Sequence, residues 1–230
     1  MTSTARPAFY ALRSGGWRDY VTLLHLPYTV WHLSYVAIGA ALAPTLKWGL
    51  LGWTVLAFLL AMGVGAHALD ELNGRPLRTR IPSTVLVALA TVSITAASAI
   101  GIVIAARSTL WLLAFVAFGA AIVVAYNLEL FGGALHTDVW FAAAWGAFPV
   151  LTAYFASAER IRGEAVAAAA FAFLVSLAQR RLSTEVRRVR RGAAPPPDAE
   201  LLLRAPEAAL RLLSLALPAL AGALLLLRSG

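Results

Sequence analysis

Histidine and acidic residues stand at the ends of several apolar segments of the chain. His67, Asp70 and Glu71 close one such segment, and His67 and Asp70 are spaced i, i+3. On a helix, this spacing places the two side chains on one face. An imidazole and a carboxylate on a shared face can ligate a divalent cation, or can act as a general base and the group that orients it. The sequence therefore predicts catalytic roles for His67, Asp70 and Glu71.

A second group of ionisable residues lies in or near the other apolar segments. Charged groups at membrane depth are energetically expensive, so each of them is a functional candidate. The predicted metal ligands are Asp70, Glu71, Glu129, His136, Asp138 and His32. Carboxylate oxygens without cysteine suit Mg²⁺, whereas the histidines suit a transition metal, and the sequence leaves both ions open.

The elements that must position these side chains are long and apolar. The chain has 230 residues, of which 60% are hydrophobic and 13% charged. A soluble domain is about 45–50% apolar and about 25% charged, so a bilayer must supply the missing apolar environment. The pattern predicts an all-α, polytopic transmembrane bundle of about seven helices, near Val21–Ala43, Gly49–Leu69, Ser83–Ala106, Leu110–Tyr126, Val139–Ala158, Ala165–Ala178 and Ala208–Leu227.

Arginines divide unevenly between the two sides that seven crossings define. Most lie on the side of the N-terminus, which predicts a cytoplasmic N-terminus in a bacterial inner or plasma membrane. The predicted organisation is a cytoplasmic segment (1–20), a six-helix bundle (21–192), a proline-rich linker (193–207) and a final helix (208–228). The net charge of +8 is explained by this bias and needs no nucleic-acid partner. The absence of cysteine excludes disulfides and a thiol nucleophile.

The order of these features resembles the UbiA superfamily of intramembrane prenyltransferases over about residues 20–192. The resemblance rests on Tyr28–His32 and Gly39–Leu42 in the first helix, on Asp70 followed by Arg75-Pro76 and Arg80-Ile81-Pro82, and on Tyr126-Asn127 followed by Gly146–Pro149. It implies a UbiA-like bundle, a membrane lipid or isoprenoid substrate, Mg²⁺ as cofactor and transferase activity. The implied substrate- or phosphate-binding residues are Arg75, Tyr126, Asn127, Gln179, Arg180 and Arg181.

The chain departs from that family's two aspartate-rich motifs. Aligning the first motif puts Ala66, His67 and Gly74 where the family has Asn or Asp, and only Asp70 is retained. The second motif falls on Leu177–Arg191, which contains no aspartate. Arginines there can bind phosphate directly through paired hydrogen bonds.

Three functions follow from the sequence as alternatives. The first is a divergent UbiA-like enzyme acting on a prenyl or other lipid substrate at a cytoplasm-facing polar cavity. The second is a membrane metalloprotein with a transition metal bound by histidines and carboxylates. The third is a non-enzymatic lipid-binding or assembly protein.

Overall fold

The fold is all-helical over the part of the chain that the structure describes. The structure is a computed structural model, and it describes residues 7–191 and 198–229. These residues contain no strand and form eight helices: α1 Trp17–Leu23, α2 Leu26–Leu42, α3 Trp48–Leu72, α4 Ser83–Arg107, α5 Leu112–Asn127, α6 Asp138–Ala158, α7 Gly163–Arg191 and α8 Ala199–Leu227. The all-α prediction is confirmed.

Five of these helices are long and apolar enough to cross a membrane. They are α3, α4, α6, α7 and α8. The other two predicted spans correspond to α2, which has 17 residues, and α5, a shorter apolar helix of 16 residues. Large apolar side chains such as Val92 on α4 and Leu215 on α8 remain about 70% exposed in the isolated chain. An apolar exterior of this extent is typical of a helical membrane bundle.

The first predicted span is interrupted near its start. The backbone of His25 adopts a left-handed conformation (φ 46°, ψ 44°), which separates α1 from α2. Pro27 occupies the first turn of α2, where its missing N–H leaves no helical acceptor unsatisfied. Pro27 lies within the first predicted span, Val21–Ala43. In the structure the chain is broken before it, because a proline is more easily placed in a helix's first turn than in its interior.

The last helix begins earlier than predicted. α8 starts at Ala199, so residues 199–207 are helical and the predicted linker is correspondingly shorter. Its Pro195-Pro196-Pro197 segment lies outside the described residues. Glu207 accounts for the docking of this first part of α8, because it is largely buried and pairs with Arg190 of α7 at 2.5 Å. α7 continues as a helix beyond the predicted end of its span at Ala178, through Gln179–Arg191.

Close contacts between backbones hold the centre of the bundle. α2 packs against α6 and α8, and α7 packs against α6. A Cβ atom on Gly39 of α2 would fall on the backbone of Val150 in α6, and one on Gly146 of α6 would lie 2.5 Å from the carbonyl oxygen of Ala172 in α7. Glycine at these two positions therefore permits helix approaches that a larger residue would block.

Two helices contain π-helical segments in their interiors. Leu59–Ala66 lies within α3, and Ala142–Ala147 lies within α6 immediately before Pro149. A π segment changes which backbone carbonyls lack a hydrogen-bond partner. It therefore accommodates Pro149, which would otherwise interrupt the backbone hydrogen bonds of α6. Both segments lie in the half of their helix that is nearer the end of the bundle carrying His67 and Asp138. We call this end the polar end; the loops after α2 and α6 lie at the opposite end.

Candidate functional site

A cluster of polar and aromatic side chains fills the space between α5, α6 and α7 at the polar end. We call Tyr126, His136, Asp138, Phe141 and Arg180 the Tyr126 cluster. The rings of Tyr126 and His136 stack at 4.4 Å. The Arg180 guanidinium donates to Asp138 at 3.3 Å and to Nε2 of His136 at 3.1 Å, and it lies over the ring of Phe141 at 5.4 Å. The cluster thus holds one guanidinium against two acceptors and one aromatic face.

Local structure explains how this cluster is assembled from a short connection. The oxygen of Thr137 accepts a hydrogen bond from the Trp140 N–H, which caps the start of α6 and orients Asp138 in its first turn. Nδ1 of His136 donates to the carbonyl of Tyr126 at 2.9 Å, since a carbonyl can only accept. The other ring nitrogen of His136 is therefore the acceptor that meets Arg180.

Further charged residues surround the Tyr126 phenol. Asp70 of α3 and Arg187 of α7 lie close enough to interact with it electrostatically, as do Asp138 and Arg180. The structure thus brings Asp70, His136, Asp138 and Arg180, four of the residues singled out by sequence, to one place. Arg187, one of the arginines of Leu177–Arg191 that the sequence offered for phosphate binding, lies there as well.

Three histidines line the adjoining space between α2 and α3. Nδ1 of His32 donates to the carbonyl of Trp145 at 2.9 Å, and Nδ1 of His67 donates to the carbonyl of Gly63 at 3.1 Å. Nε2 of each ring therefore carries the lone pair. His67 also stacks on His25 at 4.0 Å, and it lies close enough to His32 to interact with it electrostatically. A lone pair held in this way can accept a proton or ligate a metal.

Two buried polar atoms near these groups have no hydrogen-bond partner among the described residues. They are the hydroxyl oxygen of Tyr126 and Oε1 of Gln179, and both residues are 3% exposed. Ser176 of α7 bonds to Tyr35 of α2 at 3.2 Å. The two helices are antiparallel. One turn nearer the polar end than this Ser176–Tyr35 contact, α7 therefore carries Gln179 and α2 carries His32. Buried polar groups are normally paired, so each of these two atoms indicates a position for a polar ligand or water.

An apolar cavity of about 100 Å³ lies next to the Tyr126 cluster, between α3, α4, α5 and α6. Its lining includes Phe58, Met62, Phe148 and Trp145. The Trp145 ring also packs against the Tyr126 ring at 4.6 Å, so this residue lines the cavity and contacts the Tyr126 cluster. No signal in the sequence distinguishes Trp145 from the other tryptophans.

Two of the predicted site residues hold the loop between α3 and α4. Glu71 is fully buried, and its carboxylate accepts from the N–H of Leu77 at 2.9 Å and from both the N–H and hydroxyl of Thr79 at 2.8 and 2.9 Å. Arg75 donates to the carbonyl of Ile81 at 2.5 Å and to the Ser83 hydroxyl at 2.8 Å. Their polar groups therefore stabilise residues 73–82 and are turned away from the Tyr126 cluster.

Three further predicted residues do not join the cluster through their side chains. Asn127 donates to the carbonyl of Val123 in its own helix at 2.7 Å, and its backbone carbonyl accepts from Asn73. Glu129 and Arg181 are exposed. Glu129 adopts a positive φ of 50° in the tight connection after α5, which carries its side chain outward.

The acidic residues do not fit a pair of magnesium ions. Among the described residues, no group of three or more histidine, aspartate or glutamate side chains is placed to hold a metal ion. The Glu71 carboxylate is bonded to the loop and the Asp138 carboxylate to Arg180, so neither is placed to share a metal ion with Asp70. A diphosphate here would therefore meet arginines instead of an aspartate-held magnesium pair.

Comparison with known proteins identifies no relative. No protein-family model matches the chain, and neither the curated proteins nor the solved structures contain a match. The class that the fold defines is therefore a helical membrane bundle with a polar cluster beside an apolar cavity.

Proposed function

We propose that this protein is a divergent UbiA-like integral membrane enzyme that acts on a prenyl or other lipid substrate. The observation that carries the proposal is the pair of buried, unpartnered polar atoms on Tyr126 and Gln179, together with an apolar cavity that Trp145 connects to Tyr126. Trp145 contacts both regions. An amphiphile would satisfy this arrangement, with its hydrocarbon tail in the cavity and its head group among the polar side chains.

The charges around Tyr126 favour an anionic head group. Arg180 and Arg187 are both near the phenol, and a guanidinium pairs well with phosphoryl oxygens. The apolar walls lower the local dielectric and strengthen that attraction. In this proposal Arg180 and Arg187 bind a diphosphate head group, which leaves when its bond to the prenyl carbon breaks, and Tyr126 donates a hydrogen bond to the ligand. The acceptor substrate bonds to that carbon and loses one proton, which Asp70 or Nε2 of His32 or His67 accepts.

We infer that the chain crosses a bacterial plasma membrane seven times, through α2 to α8, with its N-terminus in the cytoplasm. The arginine bias supports this orientation. Because the chain has no cysteine, an introduced residue is the only thiol present. In intact cells, a membrane-impermeant maleimide should label Ser229→Cys and leave Ser14→Cys unlabelled. Labelling of both variants, or of Ser14→Cys alone, contradicts the orientation.

Substitution of Tyr126 separates a binding role from a structural role. A buried hydroxyl without a partner destabilises the fold by about 1–3 kcal/mol, so Tyr126→Phe should unfold at the same or a higher temperature. The same variant should retain less co-purifying lipid, measured by mass spectrometry of protein purified in a mild detergent. Tyr154→Phe is the matched control, because its buried hydroxyl donates to Glu164 at 2.6 Å at the opposite end. It should lose stability and keep its lipid.

Direct assay with labelled prenyl diphosphates tests the reaction. Membranes containing the protein should convert a labelled diphosphate into a lipid-soluble product, and Arg180→Gln and Asp70→Ala should each reduce the yield at least tenfold, or about 1.4 kcal/mol in the barrier. Exposed Arg181→Gln is the control for loss of a guanidinium. Full activity of Asp70→Ala would show that the proton-transfer role has been assigned to the wrong residue. A wild-type protein that neither binds nor converts any labelled prenyl compound excludes this substrate class.

A transition-metal function is the second candidate, and the tautomers of His32 and His67 favour it. Histidines that ligate metals usually donate their other ring N–H to a carbonyl or carboxylate, as both do here. Elemental analysis of gently purified protein should find stoichiometric Fe, Zn, Cu or Mn in this case. A metal content that does not change in the His32→Ala and His67→Ala variants argues against these ligands.

A further inference from the structure

Four arginines form an exposed surface beside α1, away from the Tyr126 cluster. Arg13 and Arg18 come from the N-terminal segment, and Arg78 and Arg80 come from the loop between α3 and α4. All four are exposed, and none forms an ion pair with another described residue. We call them the four-arginine surface. None of the four guanidinium groups is paired with a carboxylate of another described residue.

A single buried carboxylate joins the two segments that carry these arginines. Asp19 of α1 is 3% exposed. One of its oxygens accepts from the backbone N–H of Gly15 at 2.8 Å, and the other accepts from the backbone N–H of Arg80 at 2.8 Å. Asp19 thus fixes the loop against the N-terminal segment by bonding the main chain, and it leaves the guanidinium of Arg80 available to a ligand.

The loop itself is held so that its arginines point outward. Leu77, Thr79 and Ile81 are buried, whereas Arg78 and Arg80 between and beside them are exposed. The Glu71 carboxylate binds the loop backbone at two positions, as described above. Arg78 has a φ of 57°, which is uncommon for a residue other than glycine and is maintained here by these surrounding bonds. The four-arginine surface is therefore preorganised.

Aromatic and apolar side chains place this surface at the boundary of the bilayer. Trp17 and Tyr20 of α1 are 67% and 43% exposed, and exposed tryptophan and tyrosine are typical of the membrane–water interface. Leu26 and Val30, on the following turns of α2, are 47% and 44% exposed. From the N-terminal segment through α1 to α2, the exposed residues thus change along the chain from cationic to aromatic to apolar, in the same order as a lipid from head group to tail.

We propose that the four-arginine surface binds the head group of an anionic phospholipid in the adjacent leaflet. The guanidinium groups contact the phosphate, Trp17 and Tyr20 lie at the glycerol level, and Leu26 and Val30 contact the acyl chain. The lipid is a resident of the surrounding membrane, and its binding does not require the proposed enzymatic site to be active.

The test compares lipid retention by the wild type and by an Arg18→Gln/Arg80→Gln variant. The proteins are reconstituted in nanodiscs of mixed phosphatidylglycerol and phosphatidylcholine, and retained lipids are counted by native mass spectrometry after release. Each arginine near an anionic surface contributes about fivefold, so the double variant should lower the preference for phosphatidylglycerol about 25-fold at this site. The control variant Arg160→Gln/Arg162→Gln removes two exposed arginines at the opposite end and should retain the wild-type preference.

The remaining outcomes each have a defined meaning. An unchanged preference in the double variant, in protein that remains monodisperse with a wild-type helical circular dichroism spectrum, overturns the proposal. An equal loss in the control variant also overturns it, because the effect then reflects total charge. If inorganic phosphate protects the detergent-solubilised protein against heat as well as phosphatidylglycerol does, the surface binds a soluble anion instead of a lipid. A misfolded double variant is replaced by Arg13→Gln/Arg78→Gln, and an unchanged preference in that variant overturns the proposal.

Discussion

Replacement of Glu71 by glutamine should destabilise the protein without altering the Tyr126 cluster. The Glu71 carboxylate is fully buried and accepts three hydrogen bonds from Leu77 and Thr79. A glutamine oxygen can keep the two bonds to Thr79, but the amide NH₂ then faces the Leu77 N–H, and two donors oppose each other. A hydrogen bond to a charged group contributes about 1.5–3 kcal/mol to stability, and an unpaired buried donor costs a similar amount. We therefore expect Glu71→Gln to lower the free energy of unfolding by about 2–4 kcal/mol.

Reversible unfolding in mixed detergent micelles, followed by tryptophan fluorescence, measures this loss. Glu129→Gln is the matched control, since the same chemical change at an exposed glutamate should alter the free energy of unfolding by less than about 0.5 kcal/mol. Thr79→Val removes only the hydroxyl bond and should cost about 1 kcal/mol. The Glu71 and Thr79 substitutions should be non-additive, because the two residues share one bond.

The same variant tests the catalytic and metal-ligating roles that the sequence predicts for Glu71. If Glu71→Gln is as stable as the wild type, the carboxylate does not hold the loop as we describe, and the structural reasoning is refuted. If it is destabilised yet keeps activity at a temperature where it remains folded, the residue acts on the fold alone. Loss of activity with full stability supports the catalytic role.

Two further predictions concern helix packing. Gly39→Ala should destabilise the protein by about 1–3 kcal/mol in the same unfolding assay, because its Cβ would meet the backbone of Val150, which cannot rotate away. The control Gly52→Ala, in open space on α3, should be neutral or slightly stabilising. Equal effects at the two positions would contradict this packing. Arg190 and Glu207 should each be replaced by glutamine, singly and together. The coupling energy between the two substitutions should be about 1–2 kcal/mol, since this ion pair joins α7 to α8 and is mostly buried. A coupling energy near zero would show that α8 docks without the ion pair.

The helical fold could be predicted from the sequence because apolar runs and their interruptions are local features. A run such as Ser83–Arg107 is long enough to span a bilayer, and only a helix satisfies its backbone there. Turn residues between the runs fixed most helix ends to within a few residues. The first span and the start of α8 differed, since a left-handed backbone at His25 and the burial of Glu207 depend on neighbours far along the chain.

The candidate site was only partly predictable. Asp70, His136, Asp138 and Arg180 could be chosen because ionisable residues near membrane segments are rare, whatever their partners. The same argument chose Glu71, and the family resemblance chose Arg75, but the fold uses both residues to hold a loop. Neither line of reasoning gave a reason to choose Trp145. Residue type and spacing do not predict which of the two neighbouring acidic side chains, Asp70 or Glu71, points into the bundle.

The amino-acid sequence by itself determined that this is an all-helical chain suited to a membrane, with its polar residues concentrated at one end of the bundle. Hydrophobicity and charge are properties of each residue and act over short stretches of chain, so they can be read without the fold. Only the tertiary structure decided which polar atoms are satisfied and which are left for a ligand. That distinction separates Glu71, with three partners, from Tyr126 and Gln179, whose buried atoms have none among the described residues. Hydrogen bonding is directional and pairs residues from different helices, and therefore it is settled only when the helices pack.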